Sequence, residues 1–153
     1  MVVHEVKYRE SSALKTQKVV LTKVMARCFY LDEVIDIKFF KPNNNFALMC
    51  SNSETLKLLD LNSGSVELYK GHTDIILCLD ICQNSKLCLT GAKDNSILLW
   101  KFNLEQSFQH KLVCVAKYLG HSENISCVYF APKKASYFCS VSQDNTLKVW
   151  PLL

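Results

Sequence analysis

One block occurs twice in this chain, Gly71-His72 through Trp100 and Gly120-His121 through Trp150, with Asp94 and Asp144 each six residues before the Trp. Repetition constrains the fold more than composition does, because a unit that cannot bury its apolar face alone must stack on copies of itself. Arrays built this way serve binding rather than catalysis.

The agreement extends between the anchors. Ile76, Leu79 and Ile81 match Ile125, Val128 and Phe130, and the run Asp94 to Trp100 matches Asp144 to Trp150 position by position. A worn third copy lies upstream, with Val34, Ile37 and Phe39 and then Ser53 to Leu61; here Phe29-Tyr30 replaces Gly-His, Ser53 replaces the Asp and Leu59 replaces the Trp. Leu59 and Trp100 lie 41 residues apart, Trp100 and Trp150 lie 50 apart, and a longer connection over 101–119 accounts for most of the difference, as surface loops tolerate insertion.

Inside each copy the segments are short, apolar and rich in strand formers, as in Ile75 to Ile81, Lys86 to Thr90 and Ser96 to Trp100, split by Gln83-Asn84-Ser85 and Lys93-Asp94-Asn95. This predicts consecutive hairpins. Asp94-Asn95 and Asp144-Asn145 suit tight turns, since Asp and Asn tolerate positive φ and bond their own backbone. No comparable window has helical periodicity, so the predicted class is all-β.

A Gly-His dipeptide, a turn Asp 22 or 23 residues later and a closing Trp, at roughly 40 to 45 residues per four-stranded unit, resemble the WD repeats of a β-propeller. Two copies fit the pattern well and the third fits poorly, so the expected architecture is an incomplete propeller of about three four-stranded blades. The resemblance implies a hydrogen-bonded tetrad in each good copy: His72, Thr90, Asp94 and Trp100, then His121, Ser140, Asp144 and Trp150. Four residues before the Asp both copies carry a hydroxyl, whereas two residues before it they differ as Ala92 and Ser142.

The same His, Asp and hydroxyl side chains invite a catalytic reading. Catalysis needs one exposed set beside an oxyanion site, whereas this set recurs in each unit and ends on an indole that can only donate. A repeated buried network acts as a staple, satisfying polar groups that would otherwise cost about 1 to 3 kcal/mol each. There is no P-loop, no G-x-S-x-G and no H-E-x-x-H, and the chain has only four Gly, so no enzyme activity is expected.

The eight cysteines contain no C-x-x-C pair; Cys78 and Cys82, the nearest two, share a strand face without a His cluster. Neither zinc nor a disulfide framework is expected, and no cofactor. Most of the cysteines sit among Val, Leu and Ile and read as reduced, buried thiols, which implies cytosol or nucleus. Met1 to Glu10 is charged and lacks the apolar core of a secretory signal, and no run approaches the roughly 18 apolar residues of a membrane span.

Charge is uneven. Residues 1–27 hold six basic and two acidic side chains, while residues 28–153 hold twelve of each. The basic segment could meet RNA phosphates, but with Tyr8 as its only aromatic before Phe29 and no Arg-rich run it reads first as a solvated strand-and-loop surface, with one or two strands over 14–27. Lys133-Lys134 beside Pro132 reads as a turn.

The organisation expected is therefore a basic segment at 1–27, a degenerate repeat at 28–66 and repeats at 67–111 and 112–153. WD propellers close with about seven blades and need on the order of 300 residues, so the chain reads as a fragment of a larger propeller. The least generic stretches, Tyr30 to Phe39, Ser51-Asn52-Ser53 leading to Leu56-Lys57, Gly71 to Leu77, Ala92-Lys93-Asp94 and Val149-Trp150-Pro151-Leu152, resemble the transducin-beta-like family of the small-subunit processome over about residues 28–153. That resemblance implies a nucleolar scaffold for pre-rRNA processing toward 18S rRNA, with other WD-repeat subunits and the U3 small nucleolar ribonucleoprotein as partners. A generic WD adaptor in ubiquitin ligation or signalling would use the same fold and differ only in rim residues.

Overall fold

The computed structural model describes residues 2–10, 17–26, 32–41, 45–84, 86–103, 111–132 and 136–152, the first two stretches in backbone alone. The chain divides into two compact units, Met1–Leu31 and Asp32–Leu153. In the first, β1 (Val2–Glu10) and β2 (Gln17–Ala26) form an antiparallel hairpin, with a register irregularity between Val3 and His4. Only the second strand falls where the sequence places strands in this unit; its partner lies earlier, at the chain's start.

The second unit is three antiparallel sheets. The first holds β3 (Val34–Phe39), β4 (Phe46–Ser51), β5 (Leu56–Asp60) and β6 (Val66–Tyr69), and the second holds β7 (Ile76–Ile81), β8 (Leu87–Ala92), β9 (Ile97–Phe102) and β10 (Leu112–Tyr118). The third has three strands, β11 (Ile125–Phe130), β12 (Tyr137–Ser142) and β13 (Leu147–Pro151). The predicted turns form as expected: Asn95 and Asn145 both have φ of 61°, a left-handed conformation that Asn accepts more readily than most side chains. Each sheet's first strand carries one bulge near its start, between Val34 and Asp36, Ile76 and Cys78, and Ile125 and Cys127. Among the described residues no helix is long and apolar enough to cross a membrane.

Sequence repeats and sheets are offset by one strand. The fourth strand of a sheet precedes the Gly-His of the following repeat, so β6 and β10 complete the first and second sheets although they lead the next repeats. Each repeat thereby contributes a strand to its predecessor, which ties neighbouring sheets covalently.

The core is the space between sheets. β7 packs on β3 and β4, and β11 packs on β7 and β8. Leu48, Cys50, Leu56, Leu58, Ile76, Leu79, Leu98 and Trp100 belong to the first layer, and Leu89, Ile97, Leu99, Ile125, Val128, Phe130 and Phe138 to the second. The approach is close enough to require glycine at one point: a Cβ on Gly91 would lie 2.4 Å from Ile125 Cγ2. Four of the described cysteines, Cys50, Cys78, Cys82 and Cys88, are buried in these layers, whereas Cys114 and Cys127 are exposed. Cys127 follows the same bulge as the buried Cys78 but is exposed, because none of the described strands lies over that face of the third sheet, against the expectation drawn from its apolar neighbours.

Candidate functional site

The structure brings all eight predicted site residues together in two sets of four. In the second sheet, the loop before β7 carries His72, β8 carries Thr90, the β8–β9 turn carries Asp94 and β9 carries Trp100. His72 Nε2 lies 2.7 Å from Thr90 Oγ1, Trp100 Nε1 donates to the same oxygen at 2.9 Å, and His72 Nδ1 lies 3.0 and 3.1 Å from the Asp94 carboxylate oxygens. In the third sheet the set repeats: His121 Nε2 to Ser140 Oγ at 2.7 Å, Trp150 Nε1 to Ser140 Oγ at 2.8 Å, and His121 Nδ1 to Asp144 Oδ2 at 2.6 Å.

These distances fix one proton arrangement. A carboxylate only accepts, so Nδ1–H donates to it, and the neutral ring then accepts at Nε2 from the hydroxyl, whose oxygen accepts the indole N–H. Every donor in the chain Trp, hydroxyl, His, Asp has its acceptor. Burial pushes the His72 pKa down, opposed by Asp94, and thereby favours this neutral form. Burial raises the Asp94 pKa, but the Ser96 hydroxyl and the Thr73 and Ser96 amides outweigh it and hold the carboxyl down to about 2. Asp144 is shifted down in the same way, by Thr146, His121 and Ser122 against desolvation.

The glycine of the Gly-His pair is explained by the indole it precedes in sequence. A Cβ on Gly71 would lie 2.9 Å from Trp100 Cη2 and 2.8 Å from Leu98 Cδ1, and one on Gly120 would lie 3.0 Å from Trp150 Cη2. Trp, His and Gly are thus one packing decision: the ring folds back over the loop that carries the His. Aromatic contacts extend each set to the preceding fourth strand, with Tyr69 edge-on to Trp100 and Tyr118 edge-on to Trp150.

Sequence reasoning missed the fifth member. Ser96 and Thr146 donate their hydroxyls to Asp94 and Asp144, each at 2.6 Å, and their amides cap the same carboxylates at 3.0 and 2.9 Å. The signal was present, since a hydroxyl stands two residues after the turn Asp in both copies, and Thr55 stands two after Ser53. In the first sheet the turn survives without the tetrad: the Thr55 amide donates to Ser53 Oγ at 3.1 Å, but Met49 and Leu59 occupy the register positions of Thr90 and Trp100. Phe29-Tyr30 lies outside the described residues.

A different polar cluster stands in that sheet. Lys57, buried at the register position of Leu98, donates from Nζ to Asp32 Oδ2 and, at 2.6 Å, to Ser51 Oγ. Two further carboxylates link sheets: Asp36 Oδ2 accepts the Leu79 amide at 3.3 Å and Asp80 Oδ2 accepts the Phe130 amide at 2.8 Å. Among the described residues, every buried side-chain nitrogen and oxygen has a hydrogen-bond partner.

As chemistry, the tetrads are closed. The His72 and Asp94 side chains are 0% and 6% exposed and those of His121 and Asp144 are 1% and 7% exposed, and each hydroxyl is engaged by both the His and the Trp, so no oxygen is left to attack a substrate. The Cys50 and Cys78 thiols are equally quiet, since burial pushes both up to about 12, far from the thiolate that nucleophilic or metal-binding chemistry needs.

The family described as "WD domain, G-beta repeat" matches residues 64–101 and 112–151. The chain belongs to the WD-repeat family. The matched stretches run from β6 through β9 and from β10 through β13, so the family's repeat is the strand-offset unit and not the sheet. The chain is similar to Transducin beta-like protein 3 of Homo sapiens, 35% identical over 123 residues, and to that of Rattus norvegicus, 36% identical over 123 residues, each covering 80% of this chain and 15% of the relative. It is also similar to U3 small nucleolar RNA-associated protein 13 of Saccharomyces cerevisiae, 28% identical over 130 residues, covering 76% of this chain and 16% of the relative. This WD-repeat chain therefore spans about 15% of the length of the relatives it matches.

Proposed function

We propose that this chain is a non-enzymatic propeller scaffold of the nucleolar small-subunit processome, supporting pre-rRNA processing toward 18S rRNA. The observation that carries the reading is the similarity to Transducin beta-like protein 3 across 80% of the chain, reinforced by a yeast relative whose name places it with U3 small nucleolar RNA. The partners in this reading are other WD-repeat processome subunits, the U3 small nucleolar ribonucleoprotein and pre-rRNA, met on loops at the two ends of the sheets.

In this reading the tetrads are structural. Their burial, their repetition and their closed proton arrangement support a role in pinning each β8–β9 or β12–β13 turn to the preceding loop, with no reacting atom available. The three repeats at 28–66, 67–111 and 112–153 then act as one rigid body on which neighbours assemble.

Affinity purification from cells under low-salt and high-salt washes tests the reading. Co-recovery of pre-rRNA, U3 RNA and nucleolar WD-repeat subunits is expected. Recovery of cullin-type or receptor complexes without pre-rRNA would replace it with the adaptor reading. Ultraviolet crosslinking of the same material separates direct RNA contact from contact through partners.

A further inference from the structure

The β1–β2 hairpin carries Lys7 and Arg9 on its first strand and Lys18 and Lys23 on its second. The sequence scatters these cations, and the register gathers three of them. Residues directly opposite one another share a face, and successive residues along a strand alternate between faces. Arg9 stands opposite Lys18 and Lys7 opposite Val20, so Lys7, Arg9 and Lys18 fall on one face, in the half of the hairpin nearest Glu10 and Gln17. Lys23, opposite His4, falls on the other face, together with Val6 opposite Leu21 and Tyr8 opposite Val19. The basic face holds one carboxylate, Glu5, opposite Thr22, whereas Glu10 belongs to the apolar face.

Arg9 opposite Lys18 is a pairing that two strands by themselves disfavour, because it sets like charges at about 5 Å between Cβ atoms. A row of bound anions turns that repulsion into attraction. Lys7 and Arg9, two residues apart on one strand, are about 6.6 Å apart along it, close to the separation of successive phosphates on an RNA strand. The division between faces selects among polyanions. A lipid surface takes apolar side chains and cations from the same side, whereas Val6, Leu21, Tyr8 and Val19 share the face opposite the three cations. The place of Tyr8 on that opposite face also leaves the basic face with charge and no stacking ring, which suits contact with phosphates and not with bases.

We propose that the hairpin face formed by Lys7, Arg9 and Lys18 binds the phosphates of single-stranded RNA without regard to base sequence. The hairpin lies outside the family-matched residues 64–101 and 112–151, so this contact is separate from the WD repeats. The inference rests on the processome reading for the identity of the RNA, pre-rRNA or U3 RNA, and it adds a direct RNA contact to the partners met on the loops. The two fail separately. RNA binding through this face, without pre-rRNA in the affinity purification, removes the processome reading alone, and recovery of pre-rRNA with a purified protein that does not bind RNA removes this inference alone.

Fluorescence anisotropy of a labelled oligouridine, titrated with the purified protein, reads the contact. Three phosphate contacts on a single strand give a log–log salt slope of about −2, so affinity should fall about 18-fold between about 50 and about 200 mM salt. Arg9→Gln should reduce that fall to about sevenfold. The triple variant Lys7→Gln, Arg9→Gln, Lys18→Gln should lose measurable binding while keeping the parent's circular dichroism. Arg9→Lys, which keeps the charge, and Lys23→Gln, on the other face, should bind within about twofold of the parent, as should oligoadenosine in place of oligouridine. A salt dependence untouched by Arg9→Gln, parental binding by the folded triple variant, an equal loss with Lys23→Gln, or tighter binding to polyglutamate or to anionic lipid vesicles than to RNA would each overturn the proposal.

Discussion

Replacing Trp100 by Phe removes the donor of one hydrogen bond and about two carbon-sized groups from a side chain that is 2% exposed. The indole donates to Thr90 Oγ1 at 2.9 Å, lies edge-on to Tyr69 with ring centroids 6.4 Å apart and covers the backbone at Gly71. At about 0.8 kcal/mol per buried carbon the lost packing is about 1.6 kcal/mol. Thr90 keeps its bond to His72 and loses only the accepted proton, which adds about 1 kcal/mol. The total of about 2 to 3 kcal/mol corresponds to a fall in Tm of about 4 to 12 °C for a chain of this length. Thermal melting followed by far-ultraviolet circular dichroism reads the shift. Fluorescence of the variant reports on Trp150 alone, because the chain has two Trp, and it should show the third sheet still ordered below the transition. Trp150 makes the same bond but is only partly buried, so Trp150→Phe should cost less. A Tm within about 1 °C of the parent for Trp100→Phe would refute the claim that the tetrad holds the sheet.

Acidification should destabilise the fold in two stages. His72 has a folded pKa below its ordinary 6.5, and Asp94 is held down to about 2 against 3.8, so for both groups the unfolded chain binds protons first. Urea midpoints should therefore fall as pH drops below about 6.5 and fall again between about 4 and 2; a midpoint that rises between pH 7 and 5 would contradict the neutral, buried His72. Gly91→Ala should cost about 1 to 3 kcal/mol by forcing the second and third sheets apart, measured by chemical denaturation against the parent. At Asn145, with φ of 61°, Gly should be tolerated within about 0.5 kcal/mol and Val should cost at least about 1 kcal/mol, a contrast that equal melting temperatures for the two variants would remove.

The repeat made the inner three strands of each sheet legible, because apolar alternation and Asp-Asn turns recur at fixed offsets from Trp100 and Trp150. It left the fourth strands β6 and β10 unassigned to a sheet, since they lead a sequence repeat while completing the previous sheet, and only hydrogen bonding reveals that phase. The tetrad partners were legible through the resemblance and the duplicated hydroxyl. Ser96 and Thr146 were not singled out, although their spacing was visible, because turn hydroxyls are common and nothing in the pattern says which ones face a buried carboxylate. Asp36 and Asp80 stay hidden in any overlay of repeats, as they occupy different register positions and yet perform the same inter-sheet task. Lys57 reads in sequence as a solvated strand lysine, and its burial follows from Asp32 and Ser51, which lie 25 and 6 residues away along the chain.

The proposed role in assembling the small ribosomal subunit is tested most directly by pulse labelling of ribosomal RNA after depletion of the protein. Newly made 18S rRNA should fall and its uncleaved precursor accumulate while the large-subunit RNA is made at its usual rate, with rescue when the protein is re-expressed. An unchanged ratio of the two mature RNAs after depletion would contradict it.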